Sequence, residues 1–126
     1  MLTVGVKGRC EKLVAPAMTA QAMGSGSLEV LATPAVAALM EQAAWESVQP
    51  FLEPGQTTVG SFLALKHQRP TPIGRKAWAE SELTEAEGRR LAFDITAFDE
   101  AGPIATARHE RAIVDEERFM GKCKCK

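Results

Sequence analysis

The chain has 126 residues, 45% of them apolar and 25% charged, with a formal net charge of −1. That length suits one domain with a core of its own, and the composition is that of a soluble globular protein. The charge offers nothing to nucleic acid or an anionic membrane surface, and no apolar run reaches the roughly 18 residues that a membrane-spanning helix needs.

In chain order, MLTVGVKGRC lacks the apolar core of a signal peptide. TVGVKGRCEKLVA reads as an edge-like strand, and MTAQAMGSGSL as a small, polar, flexible approach to a helix. From LATPAVAALMEQAAWESVQPFLEPG the pattern predicts one helix of about five turns. Thr33 serves as its N-cap, Pro34 as its first helical residue, and Pro54-Gly55 closes it. Gln42, Glu46 and Gln49 fall on one solvated stripe. Glu41 lies off that stripe among Ala37, Trp45, Val48 and Leu52, and no cation on the same helix can pair with it. A carboxylate there either reaches water or an arginine from elsewhere in the fold, or it has been placed in a cleft for chemistry.

Beyond residue 55 the period changes to two. TTVGSFLALKH places His67 on one face with Val59, Leu63 and Leu65. RKAWAESEL and RRLAFDITAFD come next as strands, the second alternating cleanly between Leu91, Phe93, Ile95, Ala97 and Arg90, Asp94, Thr96. PIATARHERAIVD completes an antiparallel meander of four strands, and a charged end closes the chain. The sum is an α+β domain over residues 1–120 with a tail at 121–126. A helix apolar on nearly all sides needs the sheet to wrap it or a second copy to cover it, so a homodimer is expected. Cys10, Cys123 and Cys125 make no disulfide framework, and the C-x-C of the tail offers two metal ligands at most. A cytoplasmic location is expected.

Few residues could carry chemistry. Thr33 is both a cap and a hydroxyl at the positive end of a helix, where anions bind. Gly60 interrupts a branched, apolar strand, as a bulge or a close backbone approach would require. His67 ends a strand beside a Pro-interrupted loop, and a lone histidine on such an apolar face is more often a satisfied core residue than a reacting one. His109, in ARHERA, reads as a half-exposed strand histidine among charges. No phosphate loop and no Ser-His-acid motif is present, and the histidines lack short metal-ligand spacing.

The blocks LATPAVAALMEQAAW, FLEPGQTTVG, KHQRPTPIG and HERAIVDEERF together resemble the hotdog-fold thioesterases of the fluoroacetyl-CoA thioesterase type, over residues 28–120. The resemblance implies a long antiparallel sheet wrapped round one helix, a dimer (or a tetramer of paired dimers), and hydrolysis of acyl-CoA thioesters without metal or cofactor. It also implies that Thr33, Glu41 and His67 are the catalytic residues, and that Gly60 admits the thioester carbonyl. Selective members carry aromatic residues before the helix. MGSGSL has none, which points to a broader range of short acyl groups. Thr33 and Glu41 are about 12 Å apart along one helix and cannot touch, so each site is expected to draw on two subunits, or the two residues to act on separate parts of the substrate. Other functions weighed on the same fold are a non-catalytic acyl-CoA or acyl-ligand binding module, a dehydratase or hydratase, which would want an Asp beside the histidine, and a purely structural dimer.

Overall fold

The computed structural model describes residues 2–126. Strand β1 (Lys7–Leu13) is followed by a 3₁₀ turn (Pro16–Met18) and a short helix α1 (Ala20–Met23), so the segment expected to be simply flexible carries one helical turn. The central helix α2 (Thr33–Val48) tightens into a 3₁₀ turn (Gln49–Phe51) before the Gly55 turn. Strands β2 (Gln56–His67), β3 (Lys76–Glu87), β4 (Arg90–Asp99) and β5 (Gly102–Asp115) come next, and then helix α3 (Glu116–Lys124). The domain boundary expected at residue 120 falls inside α3, which Asp115 caps by accepting from the Arg118 N–H at 3.0 Å.

All strand pairs are antiparallel, and the spatial order is β1-β3-β4-β5-β2. Only β3, β4 and β5 form the expected meander. The Pro-rich link after β2 carries the chain away, and β2 returns as an edge strand against β5. One face of the sheet wraps α2 in the hotdog arrangement. Ala35, Val36, Leu39, Met40, Ala43, Ala44 and Val48 are the buried helix residues, and Ala77, Ala79, Leu83, Leu91, Phe93, Ile95 and Ala97 meet them from the sheet. Small side chains on the helix permit close approach: a Cβ at Gly8 of β1 would overlap the Ala43 carbonyl. Such interdigitation fixes the rotation of α2, and with it the direction in which Glu41 points.

Two further ties place the ends of α2. Gln49 donates to the Gln56 carbonyl at 2.8 Å and accepts from the Thr57 hydroxyl at 2.9 Å, joining the helix exit to the start of β2. At the entry, the Leu31 N–H donates to the Thr71 carbonyl at 2.9 Å, and the buried Thr71 hydroxyl donates to Asp99 at 2.8 Å. The loop after His67 is thereby laid against the start of α2.

Candidate functional site

Thr33 is the first helical residue rather than the N-cap; Ala32 occupies the cap and supplies no side-chain bond. Its hydroxyl, freed from capping, lies 2.8 Å from His67 Nδ1. The docked loop brings the two together across 34 positions of sequence. Both line a cavity of about 320 Å³ with Ala20, Ser25 and Arg69. His67 Nε2 is buried and has no hydrogen-bond partner within the described residues, although buried ring nitrogens normally find one.

Glu41 lies elsewhere. From the third turn of α2 it points across to β5 and accepts from Arg111 Nη1 at 3.2 Å, with His109 Nε2 at 3.8 Å. Its side chain is 41% exposed, whereas those of Arg111 and His109 are 7% and 1% exposed. The arginine from elsewhere in the fold is therefore present, and it stands beside a histidine. The register of β2 on β5 slips between Gly60 and Phe62, forming the bulge that a strand glycine suggested. Gly60 meets Glu41 directly: a Cβ there would overlap Glu41 Oε2 and lie 3.3 Å from Arg111 Nη1. Glycine at this position leaves room for the carboxylate.

The four residues singled out from the sequence thus fall into two clusters within the chain, Thr33 with His67 and Glu41 with Gly60. An arginine partner for Glu41 was foreseen but not that it is Arg111, and His109 is buried, not half-exposed. The misreading came from their charged neighbours. Arg108 and Glu110 do face solvent, while the alternating positions 109 and 111 turn under α2, where a buried cation needs the acid that α2 supplies.

The protonation of His109 is set by its partners. Nδ1 sits 2.7 Å from the Phe62 carbonyl and must donate to it, which leaves Nε2 to accept from Arg111 Nη1 at 3.2 Å. Burial pushes the His109 pKa below the usual histidine value; the Phe62 carbonyl opposes this, Arg111 adds to it, and Glu41 and Glu110 oppose it more weakly. The folded state thus refuses a proton that the unfolded chain takes up near pH 6.5. Stability is complete above that pH and declines as pH falls below it. Denaturation midpoints measured from about pH 7.5 down to about 5.5 should therefore fall, and a flat profile would contradict the buried neutral imidazole.

Comparison with known proteins sets this geometry in context. The family described as "FlK: Fluoroacetyl-CoA-specific thioesterase" matches residues 14–117. A fluoroacetyl-CoA thioesterase of Streptantibioticus cattleyicolor is 37% identical over 98 residues, covering 78% of this chain and 70% of its own. The solved structure of the fluoroacetyl-CoA thioesterase FlK superposes with a TM-score of 0.93 at 31% identity, covering 100% of this chain and 98% of that one. A thioesterase-superfamily member from Thermus thermophilus superposes with a TM-score of 0.91 at 25% identity, over 98% of this chain and 92% of its own.

Proposed function

The chain belongs to the family of the fluoroacetyl-CoA-specific thioesterases, and from that premise we propose that it hydrolyses short-chain acyl-CoA thioesters at a site shared between two copies. It is a thioester hydrolase acting on acyl-CoA. The inferred parts are the residues that do this, the way they meet, and the acyl groups they accept.

The carrying observation is the division of the site into two clusters on one edge strand. His67 and Gly60 are both on β2, seven positions apart, which at about 3.3 Å per residue separates them by roughly 23 Å. Strand β2 pairs with β5 on one side only. Antiparallel pairing of two such edges would bring the His67 end of one copy to the Gly60 end of the other. Thr33 and His67 of one protomer would then face Glu41 across the interface, and His67 Nε2 would gain a partner. Phe62 and Trp45, 50% and 37% exposed in one protomer, would be covered in the same step.

In that site the Glu41 carboxylate delivers oxygen to the thioester carbon, by direct attack or through a water whose proton it takes. The C–O bond forms as the carbonyl electrons move to oxygen, and backbone N–H groups at the Gly60 bulge stabilise that oxyanion, at about 3 kcal/mol per donor. When the carbonyl re-forms, the C–S bond breaks and His67 gives a proton to the departing CoA thiolate; it regains one from Glu41 in the water route and, in the direct route, from the water that hydrolyses the Glu41 acyl anhydride. Thr33 orients the imidazole. The acid and CoA thiol leave, with one water consumed overall.

The segment Met23–Leu28 has no aromatic side chain, so acetyl-CoA and its short homologues should be accepted alongside the fluorinated substrate. Three free cysteines suit a reducing compartment, which supports a cytoplasmic location. Among the described residues, no helix is long and apolar enough to cross a membrane.

Complementation tests the shared site. Glu41→Gln and His67→Ala chains, each inactive alone, should regain about a quarter of wild-type thiol release when co-expressed, because half of randomly paired dimers carry one intact site of two. Run with acetyl-CoA and fluoroacetyl-CoA in competition, the same assay measures selectivity. A mixture as inactive as its parents would rule out the shared site, and a wild-type chain that binds acyl-CoA without releasing thiol would indicate a binding module.

A further inference from the structure

Arg111 is a buried cation on β5 whose guanidinium is almost fully committed. Nε donates to the Thr58 hydroxyl at 2.8 Å and Nη2 to the Thr58 carbonyl at 3.0 Å. Nη1 donates to His109 Nε2 and to Glu41 Oε2, each at 3.2 Å. Four acceptors thus meet five N–H donors, and three of the four belong to Thr58 and His109. Thr58 is itself only 6% exposed, two residues before Gly60 on β2. Its partner across the ladder is Ile113, so it reaches Arg111 diagonally on the inner face of the sheet.

We propose that Thr58 is a positioning residue for the hydrolysis: with His109 it locks the Arg111 guanidinium so that one N–H holds Glu41 by a single oxygen and leaves the other oxygen for the thioester carbon. The inference rests on Glu41 being the reacting acid. A guanidinium free to rotate could grip both carboxylate oxygens in the bidentate geometry that arginine favours, which would withdraw the acid from the carbonyl. Thr58 occupies Nε and one face of Nη2, the donors that such a rotation would need. His109, donating to Phe62 and accepting from Nη1, closes the remaining direction. Because Thr58 and the Gly60 bulge share a strand, the lock and the space for the carboxylate are set by one element.

Two substitutions separate positioning from simple packing. Thr58→Val keeps the shape and removes the hydroxyl; Thr58→Ser keeps the hydroxyl and removes a methyl. With the full chain and thiol release from acetyl-CoA as the readout, Thr58→Val should lower kcat roughly ten- to a hundredfold while KM stays within about twofold. Thr58→Ser should bring kcat back to within about threefold of wild type. Thermal unfolding of each variant confirms that a folded protein is being compared. An unchanged kcat in Thr58→Val, beside an inactive Glu41→Gln, overturns the lock alone. Equal losses in the Val and Ser variants also overturn it, since packing would then be the cause. An active Glu41→Gln overturns the reading of the site and the lock with it.

Discussion

Exchanging Glu41 for glutamine should reduce acyl-CoA turnover by about three orders of magnitude and leave the fold intact. Glutamine has the same shape and can still accept from Arg111 Nη1 through its amide oxygen, so the contact with β5 survives. What disappears is the charge, and with it the capacity either to attack a carbonyl carbon or to take a proton from water. The Glu41 side chain is 41% exposed but Arg111 is only 7% exposed, so removing the charge should lower the unfolding midpoint without preventing folding. Steady-state thiol release read beside thermal unfolding checks both halves of the statement. Turnover within about threefold of wild type would remove Glu41 from the mechanism.

The second large effect is expected at Gly60, where activity and stability should part company. A methyl group at this position overlaps Glu41 Oε2, and the next neighbours are Arg111 Nη1 at 3.3 Å and His109 Cε1 at 3.4 Å. The first obstacle is the tip of a flexible side chain, so the clash is relieved by swinging the carboxylate aside, not by moving the sheet. Gly60→Ala should therefore cost kcat about a hundredfold, as a displaced reacting group does. Alanine also loses less backbone entropy than glycine on folding, by about 0.5–1 kcal/mol within a strand. The unfolding midpoint of Gly60→Ala should thus stay close to that of the wild type, the entropy gain offsetting the loosened Glu41–Arg111 contact. A variant of normal activity would show that the acid has space to spare, whereas a variant that fails to fold would place the obstacle in the backbone.

The two substitutions probe one arrangement from opposite sides, one removing the charge and the other its position. Their effects should not add: Gly60→Ala in a Glu41→Gln background should lower kcat little further, because both act through the same carboxylate.

Much of this molecule is written locally. The period-two alternation of Leu91, Phe93, Ile95 and Ala97 marks a half-buried strand wherever that strand lies. The small residues of α2, and the prolines at its ends, define a helix that must be covered. A glycine inside an apolar strand marks an irregularity, and a bulge is present there. A lone acid beside Ala37 and Trp45 marks a residue that must answer to something outside its own helix. Each of these comes from the geometry of a single element, because side-chain direction repeats with the backbone period.

Only the tertiary structure decided what those elements meet. Thr33 left its capping role because the loop after β2 folds back and offers His67 to the hydroxyl, a contact across 34 positions. Arg111 became the counter-ion of Glu41 across 70 positions, a pairing that no local period encodes. His109 was buried, although its sequence neighbours are charged, because alternate residues of β5 face opposite sides of the sheet and its own side lies beneath α2. The departure of β2 from the meander placed His67 and Gly60 on an edge strand, at the two separate clusters. Periodicity reports which face of an element is apolar, but which faces are pressed together depends on strand order and register, and these are settled by the packing of the whole chain.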